Sequence, residues 1–568
     1  MNARGSVHTG QVFVVLSVSP GGATVRELDD SSAPMAPERQ VRLDGLPAAV
    51  AMLEAGHPRW VWDDTAWWYP RLLEAGVRVE RCIDLRLCHA ILRNAVSTAG
   101  SRLAAAPPSA WDAPRPVEPP PAPDALFEID DGAVAPAPDP LAELVLQQEA
   151  VGASADPSSM ALLLAAESAG ALAAAEMRFA GLPWRADIHE AILGRALGPR
   201  PAAGVRPRVL AELADRLRAI LETPDLNPDS PPEVLRALRR LGLNISSTRS
   251  WELREVEHPA IAPLLEYKKL ARLLSANGWQ WLEANVRDGR FHPEYVPGGV
   301  VTGRWASTGG GGALQLPRQV RTAVVADDGW RLVVADASQL EPRILAALSG
   351  DRGMAEAGAG HDLYAGIVAS GAVSDRGQAK VAMLGAMYGS TTGESGRLMP
   401  RLARAYPRAI ALVEDAARVG ERGGVVSTRL GRSSPRPSAA WRQAQAGAYG
   451  ESAGDAETRT ARGQARSWGR FTRNFVVQGS AAEWALCWMA GLRNALAAID
   501  PGSPLTAGPH LVLFMHDELV VHTPARHAER VEAELRRTAA EAARLMFGPT
   551  SVEFPLTVAV VERYSDAK

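Results

Sequence analysis

The sequence contains little cysteine, and this shortage excludes two classes of protein. The three cysteines, Cys82, Cys88 and Cys487, form no CxxC pair, so neither a disulfide framework nor a cysteine-ligated zinc site is expected. We predict buried structural thiols in a reducing cytosol. Long apolar runs are also lacking, since no stretch reaches about 18 uninterrupted apolar residues, and residues 12–18 lack the basic lead-in of a signal peptide. The sequence therefore predicts no membrane span.

Lysine is scarcer still, and the charge is distributed unevenly. Four lysines stand beside 57 arginines, and the net charge of the chain is -3. Residues 1–170 contain 12 arginines, no lysine and 22 acidic residues, which gives a net charge of -10. The remaining residues contain 49 basic and 42 acidic residues, which gives +7. We expect any polyanion to bind the back of the chain, through contacts that salt weakens.

The chain is long enough for several structural units, since 568 residues correspond to about three to five domains of ordinary size. Residues 107–140 hold 11 of the 42 prolines and few large apolar side chains, which predicts an extended linker. A small α/β unit is predicted before this linker. After it, residues 159–235 have helical spacing, and residues 262–286 predict one long amphipathic helix. From residue 290 onward, apolar runs of strand type enclose a mostly helical insertion.

Acidic residues at the ends of two predicted strands are candidate metal ligands. Asp336 ends a buried strand that a helix follows, and the segment LVLFMHDELVVH predicts two strands with His516, Asp517 and Glu518 at the turn between them. If the two ends meet, these acids could hold a pair of divalent cations for displacement at phosphorus. The alternative is that the acids cap helices and turns. It is strongest for Glu341, because the serine three residues earlier completes a capping box.

One helix carries a regular polar stripe. It is predicted between Asp375, a good N-cap, and Gly389, a common stop signal. Its first turns hold two cations where free N–H groups favour an anion, so this end would suit a triphosphate and the far end a base or sugar. The alternative is that both cations are simply solvated on the protein surface. The lysine argues against this, because this chain has arginine at almost every other basic position. The stripe consists of Arg376, Lys380, Leu384 and Tyr388.

Two further segments supply hydrogen-bond donors. Arg304 follows a turn in TGRWAST, and Arg470, Asn474 and Gln478 lie four residues apart on a predicted helix. Such donors can contact the minor-groove acceptors that all base pairs share, which senses duplex geometry without sequence preference. The alternative is an ordinary polar helix face.

Taken together, these segments resemble the family A DNA polymerases, the DNA polymerase I type, over about residues 171–568. TGRWAST resembles the primer-contacting TGRxSS segment, DASQLEPR motif A, RGQAKVAMLGAMYG motif B, NFVVQGSAAE the NxxxQGSAAD helix, and FMHDEL motif C. The resemblance implies an α+β multidomain fold, a right-hand polymerase. Its thumb would span about 225–290, its palm 291–350 and 471–568, and its fingers 351–470.

The resemblance also assigns roles to the candidate residues. Asp336 and Asp517 would be catalytic and bind two Mg²⁺ ions, for which Mn²⁺ could substitute, and Glu518 would support them. The dNTP-binding residues would be Arg376, Lys380, Leu384, Tyr388 and Glu341. The residues that contact primer and template would be Arg304, Arg470, Asn474, Gln478 and His516.

The implied function is template-directed DNA synthesis, the 5′–3′ addition of dNTPs to a primer 3′-hydroxyl in repair or gap filling. The partners would be primer–template DNA and dNTPs, with no membrane, and the protein would be a monomer in the bacterial cytoplasm, associated with the nucleoid. Leu384 departs from the family, which has an aromatic residue there that lies against the nucleotide. The alternative function is that of a non-catalytic primer–template binding protein that retains the polymerase fold.

The front of the chain resembles the family's RNase H-like 3′–5′ exonuclease domain in degenerate form. This domain would comprise residues 1–106 and end with 141–170. Residues 1–170 contain no Asp-x-Glu, and Trp68 stands where the family has a metal-binding aspartate. We therefore expect no 3′–5′ exonuclease activity, and we expect the 5′ nuclease domain of full-length DNA polymerase I to be absent.

Overall fold

The computed structural model describes residues 11–114, 138–308, 312, 314, 316–360, 362–389, 393–448 and 454–567. Most of the predicted linker lies outside these ranges, as do residues 309–311. All three cysteines are buried and free, as predicted.

The front of the chain is an α/β unit built on a five-stranded sheet of order β3-β2-β1-β4-β5. β2 is antiparallel to both of its neighbours, whereas β1, β4 and β5 are parallel to one another. Three tryptophans and a tyrosine, Trp60, Trp62, Trp68 and Tyr69, fill its core. This agrees with the α/β unit predicted before the linker, while its relation to an exonuclease stays a prediction. The elements are β1 (Phe13–Ser19), β2 (Gly22–Leu28), β3 (Arg39–Arg42), α1 (Leu46–Glu54), β4 (Arg59–Trp62), α2 (Thr65–Glu74), β5 (Cys82–Asp84), α3 (Leu85–Asn94) and α4 (Arg102–Ala105).

Two helices, α5 (Pro140–Gly152) and α6 (Pro157–Ala180), connect this unit to the rest of the chain. α6 continues through the predicted boundary at residues 170 and 171, so the units on either side share one helix. Among the described residues it is the one helix long and apolar enough to cross a bilayer. In this structure α6 is a core helix, because it packs against α2, β5 and the long helix at residues 455–497.

The helices that follow α6 form most of a second hydrophobic core. The predicted helix over residues 262–286 is broken at Gly278, whose backbone is extended with ψ -171°. The chain approaches itself so closely there that a Cβ on Gly278 would lie 2.3 Å from the carbonyl oxygen of Leu274. The chain turns there, and the tryptophans after the break pack into the core. The elements are β6 (Leu182–Pro183), α7 (Ala186–Leu197), α8 (Arg208–Ile220), α9 (Pro231–Arg240), α10 (Ser250–Leu253), α11 (Ile261–Asn277), α12 (Trp279–Asn285), β7 (Val286–Arg287) and β8 (Arg290–Phe291).

A four-stranded antiparallel sheet of order β12-β13-β11-β14 forms the centre of the remaining chain. One face packs against α20 and α21, and the other faces the second core. As predicted, a mostly helical insertion separates its strands. The elements are β9 (Tyr295–Val296), β10 (Ala306–Ser307), β11 (Trp330–Ala337), α13 (Leu340–Ser349), α14 (Arg352–Ala357), α15 (Leu363–Ala369), α16 (Arg376–Tyr388), α17 (Gly393–Ala405), α18 (Pro407–Glu421), α19 (Ala439–Gly447), α20 (Asp455–Ala497), β12 (His510–Met515), β13 (Glu518–Pro524), α21 (Ala528–Phe547) and β14 (Leu556–Val561).

Candidate active site

Two carboxylates, 181 positions apart in the sequence, meet at one end of the four-stranded sheet. Asp336 lies near the end of β11, and Asp517 lies in the turn between β12 and β13. The amide of Ala337 donates to the carbonyl oxygen of Asp517 over 3.0 Å, which fixes the two chain segments side by side. Both side chains are half-buried. The expectation that the two strand ends come together is confirmed.

Backbone strain flanks this pair. Two non-glycine residues adopt left-handed conformations next to the carboxylates, Gln339 with φ 49° and His516 with φ 64°. Such conformations cost on the order of 1–3 kcal/mol each and persist only where the surroundings enforce them. The turn that contains His516 is held by the hydroxyl of Tyr295. This hydroxyl accepts a hydrogen bond from the amide of Phe514 over 2.9 Å and donates one to the carbonyl oxygen of Phe514 over 2.8 Å. No local sequence signal points to Tyr295, because its partner lies 219 residues away.

Glu518 lies opposite Asp336 in the β11–β13 ladder, so the two side chains emerge on the same face of the sheet. The Glu518 side chain is buried and accepts a hydrogen bond from the hydroxyl of Tyr564. The guanidinium of Arg321 lies 4.8 Å from the centre of the Tyr564 ring. Burial raises the pKa of Tyr564, and the charge of Glu518 raises it further. Glu518 is therefore held rigidly next to Asp336 by burial and by its hydrogen bond to Tyr564.

The predicted capping box at Glu341 does not form. α13 begins at Leu340 after the left-handed Gln339, with no side-chain cap. The hydroxyl of Ser338 instead pairs with that of Thr557 over 3.0 Å, and the Ser338 amide donates to the chain just before β14. Ser338 is therefore hydrogen-bonded to β14 and to the residue before it, and it does not cap α13. The Glu341 carboxylate is then available to the site.

Glu341 joins two other predicted site residues. One carboxylate oxygen pairs with Arg304, and the other accepts from the hydroxyl of Tyr388 over 2.8 Å. Burial and the charge of Glu341 raise the pKa of Tyr388 to about 12, so its hydroxyl remains a donor at neutral pH. These contacts bring together α13, the end of α16 and the turn before β10.

α16 has the bounds that the sequence predicts. The Asp375 side chain caps it by accepting from the amide of Gln378 over 2.9 Å, and Gly389 ends it with φ 73°. The small and apolar residues on its other face are buried, which leaves the polar stripe in solvent. The four stripe residues, Arg376, Lys380, Leu384 and Tyr388, are all exposed.

The three predicted donors lie on α20. Arg470 is exposed and packs over the end of α16, because a Cβ at Gly389 would lie 2.7 Å from its Cγ. Asn474 is half-buried one turn further along. Gln478 accepts from the hydroxyl of Thr302 over 3.1 Å, which ties it to the turn that carries Arg304.

A cavity of about 320 Å³ lies between α20, the β12–β13 turn and the start of α13. Its floor is apolar and includes Trp305 and Phe514. Partial burial, and then the nearby charge of Arg304, lower the pKa of the His516 imidazole at its rim. Five predicted residues line this cavity: Arg304, Glu341, Gln478, His516 and Asp517. Arg376, Lys380, Leu384, Arg470 and Asn474 lie outside its wall.

Behind this cavity lies a buried polar cluster that the sequence analysis missed. Glu483 accepts from the hydroxyl of Thr428 and from the amide of Leu430, the latter over 2.9 Å. Beside it, Arg432 donates to Glu167 over 2.7 Å, with both side chains largely buried. The cluster connects α20 and the loop after α18 to α6. The residues joined by these side-chain hydrogen bonds are 53 to 265 positions apart in the sequence, so no local motif could reveal the cluster.

The cluster also supports the turn before Arg304. A Cβ at Gly303 would lie 2.7 Å from Nε of Arg432, and the φ of Gly303 is 85°, so glycine is required on both counts. Arg432 thus packs directly under the backbone that presents Arg304.

Glu483 predicts a pH-dependent stability. Burial raises its pKa to about 7, with Glu167 adding to the rise and its hydrogen bonds and Arg432 opposing it. The unfolded carboxyl loses its proton near pH 4.5, whereas the folded one retains it until about pH 7. Folding is therefore weakened as pH rises through this window. The free energy of unfolding should fall between pH 5 and pH 8, and we expect Glu483→Gln to make this fall smaller by about 2–3 kcal/mol. Urea unfolding of both proteins at both pH values tests this, and an equal decline in the variant would contradict it.

The carboxylate pair suits a hard cation. Within the described ranges, no group of three or more His, Cys, Asp or Glu side chains is gathered to hold a metal ion. Mg²⁺ needs no such group, since it commonly binds one or two protein carboxylates and completes its shell with water and phosphate oxygens. Asp336 and Asp517 provide a donor set of that kind.

Comparisons with known proteins bear on the family to which the chain belongs. The family model of DNA polymerase family A matches residues 208–565. DNA polymerase I from Thermus filiformis is 29% identical over 343 residues, which cover 55% of this chain and 37% of that protein. DNA polymerase I from Mycobacterium bovis is 30% identical over 331 residues, which cover 53% of this chain and 33% of that protein. The chain thus spans about a third of the length of these relatives.

A solved structure shows the same fold. The POL domain of Pol1 from M. smegmatis, in complex with DNA primer-template and dNTP, superposes with a TM-score of 0.68 at 19% identity. The superposition covers 98% of this chain and 96% of that one. The predicted α+β right-hand polymerase fold is confirmed, while its internal boundaries stay predictions. Because the family model spans well over half of its length, the chain belongs to DNA polymerase family A.

Proposed function

We propose that this protein carries out template-directed DNA synthesis, adding dNTPs to a primer 3′-hydroxyl, in repair or gap filling. The observation that carries the proposal is the meeting of Asp336 and Asp517 at one end of the sheet. We further propose that it acts as a monomer, in a bacterial cytoplasm and associated with the nucleoid.

The reaction would join the primer 3′-oxygen to the α-phosphorus of a dNTP and break the bond to the bridging oxygen, releasing pyrophosphate and the hydroxyl proton. Asp336 and Asp517 would hold two Mg²⁺ ions, or Mn²⁺ in their place. When bound, these ions would activate the attacking hydroxyl and neutralise charge on the phosphates. Arg376 and Lys380, exposed on the first turns of α16, would bind the triphosphate.

The residues around the cavity would position the primer terminus and the incoming sugar. Glu341 is fixed between Arg304 and Tyr388, so its carboxylate would form a rigid floor beneath the sugar and oppose a 2′-hydroxyl. Gln478 and His516 line the same cavity and would contact the primer–template duplex, with Arg470 and Asn474 further along α20. Fixing these groups in advance lowers the entropy cost of the reaction.

Primer extension tests the proposal. A labelled primer annealed to a template with a five-base overhang is incubated with the protein, Mg²⁺ and the four dNTPs. We expect extension to the end of the template. If the protein binds the duplex but adds no nucleotide under any divalent cation, the alternative of a non-catalytic primer–template binding protein is correct. Leu384 is the observation that favours that alternative, since an aliphatic residue replaces the family's aromatic.

Leu384 also yields a quantitative prediction. It is 36% exposed on the α16 stripe, where an aromatic ring could stack on the incoming base. We expect Leu384→Phe to lower the KM for dNTP about three- to ten-fold with little change in kcat, given the usual value of base–aromatic stacking. Val419→Phe is the matched control, because Val419 is 38% exposed on a different helix, α18. An equal gain in both variants would contradict a specific role for position 384.

We also propose that the front unit lacks 3′–5′ exonuclease activity. β1 contains no acidic residue, and Trp68 is fully buried with its indole N–H donating to Asp63 over 2.8 Å. Asp84, at the end of β5, is occupied in capping α3. A 3′-labelled DNA incubated with Mg²⁺ and no dNTP should keep its length. Shortening that persists in Asp517→Ala would show that the front unit is active.

A further inference from the structure

Arg376 is held by a carboxylate that is itself fixed to the backbone. Its Nε donates to Oδ2 of Asp362 over 2.7 Å. The other oxygen, Oδ1, accepts from the amides of Tyr364 and Ala365 over 3.0 and 3.3 Å and caps α15. Both oxygens of Asp362 therefore have defined partners, and the carboxylate has little freedom to rotate.

The face of the guanidinium is positioned as well. Its carbon lies 5.5 Å from the centre of the Tyr364 ring, which is 7% exposed and packed in the core. The amide of Leu363 donates to the side chain of Gln339 over 3.2 Å, so the start of α15 is fixed to the turn between Asp336 and α13. The support of Arg376 is thus connected to the carboxylate side of the site, although it lies on a separate helix.

Asp362 contacts the Nε edge of the Arg376 guanidinium, and this determines which N–H donors remain available to a ligand. An arginine offers five N–H donors in a planar fork, and the ion pair uses the one at Nε. The two terminal nitrogens carry the other four, in the geometry that binds a phosphate through two parallel hydrogen bonds. The Arg376 side chain is 59% exposed, so a phosphate can reach it from solvent.

We propose that Asp362 is a positioning residue for nucleotide binding, which orients Arg376 so that its terminal nitrogens face the triphosphate. The inference rests on the proposed function, in which Arg376 binds the triphosphate. Immobilising a long side chain lowers the free energy gained on binding, and Asp362 would remove that cost in advance. Nothing in the sequence identifies this role, because aspartate before a helix is explained by capping alone.

Asp362→Asn separates the two roles of this residue, because asparagine caps helices as well as aspartate but carries no charge. The measurement is equilibrium binding of the complementary dNTP to the protein on a dideoxy-terminated primer–template, where no chemistry occurs. We expect Asp362→Asn to weaken dNTP binding about three- to ten-fold. The melting temperature should stay unchanged, since exposed ion pairs contribute little to stability. Asp156→Asn, at the cap of α6, is the matched control and should leave dNTP binding unchanged.

A double-mutant cycle distinguishes positioning from a general structural effect. In an Arg376→Gln background, Asp362→Asn should change dNTP binding by less than about two-fold, because the group that it orients is gone. The inference is overturned if the loss is the same in both backgrounds, if binding is unchanged, or if it tightens because Asp362 competes with phosphate. Primer extension by the unmodified protein is scored separately. Absence of extension together with Asp362-dependent binding would reject the proposed function and retain this inference, whereas absence of dNTP binding would reject both.

Discussion

Replacing Asp517 or Asp336 by asparagine is expected to slow nucleotide addition by about 10³-fold or more, because each change removes a charged ligand from the reacting centre. The affinity for primer–template should change by less than about two-fold, since a carboxylate attracts no phosphate. The two variants should lose activity to a similar degree, because the Ala337 amide fixes the two segments as one unit. Single-turnover addition of one nucleotide gives the rate, and the Kd for the same primer–template duplex gives the affinity.

A nearby exposed aspartate provides the control. Asp327 pairs with Arg290 at the other end of β11 and is 44% exposed. Asp327→Asn should leave the rate of nucleotide addition within about two-fold. If Asp327→Asn and Asp517→Asn reduced the rate equally, the loss would reflect fold stability and the assignment of the pair would be contradicted.

The second large effect concerns stability at the contact between the front unit and α20. Glu176 of α6 is buried and accepts from Arg493 over 2.7 Å, from Arg78 over 3.0 and 3.1 Å, and from the hydroxyl of Tyr69 over 2.6 Å. Arg493 also donates to the carbonyl of Glu80 over 2.7 Å. The cluster thus joins α2, the loop before β5, α6 and α20.

We expect Glu176→Gln to reduce the free energy of unfolding by about 3–5 kcal/mol, because it leaves the buried Arg493 and the half-buried Arg78 without a countercharge. Burial would raise the pKa of Glu176, but Arg493 and Arg78 together hold it at about 2. The stabilisation is therefore complete above pH 4.5, the pKa of the unfolded carboxyl, and is lost as pH falls from there towards 2. Urea unfolding at pH 7 and pH 3 measures both effects.

Glu532→Gln is the matched control for this prediction. Glu532 pairs with Arg536 on the exposed face of α21, and such pairs contribute about 0.3–0.5 kcal/mol. A loss of less than about 1 kcal/mol in Glu176→Gln, comparable to that of the control, would show that the buried cluster does not hold the two units together.

The parts of the site that depend on local chemistry could be predicted from the sequence. α16 has its predicted bounds because its N-cap and its terminating glycine act within one turn of the helix. The turn at Asp517 was predicted because two apolar runs flank a short polar segment. Position-by-position resemblance then identified five residues that line one cavity.

The parts that depend on distant partners could not be predicted. Ser338 matches a capping box, but Thr557 of β14 takes its hydroxyl, so Glu341 joins Arg304 and Tyr388 instead. Tyr295, Glu483 and Asp362 owe their importance to contacts that exist only in the folded chain.

The salt dependence expected from the charge distribution concerns one part of the chain. Residues 351–470 contain 17 basic and 11 acidic residues, so they supply +6 of the +7 carried by residues 171–568. Three exposed arginines precede Arg470 on α20: Arg459, Arg462 and Arg466. Salt should therefore weaken primer–template binding mainly through this region.

Single-turnover addition of one nucleotide on four templates that differ only in the first unpaired base tests whether this chain is a template-directed polymerase. We expect the unmodified chain to add the complementary nucleotide in each case, EDTA to abolish the addition, and Asp517→Asn to reduce its rate by about 10³-fold. Addition that ignores the template base, or that proceeds equally well in Asp517→Asn, would contradict this expectation.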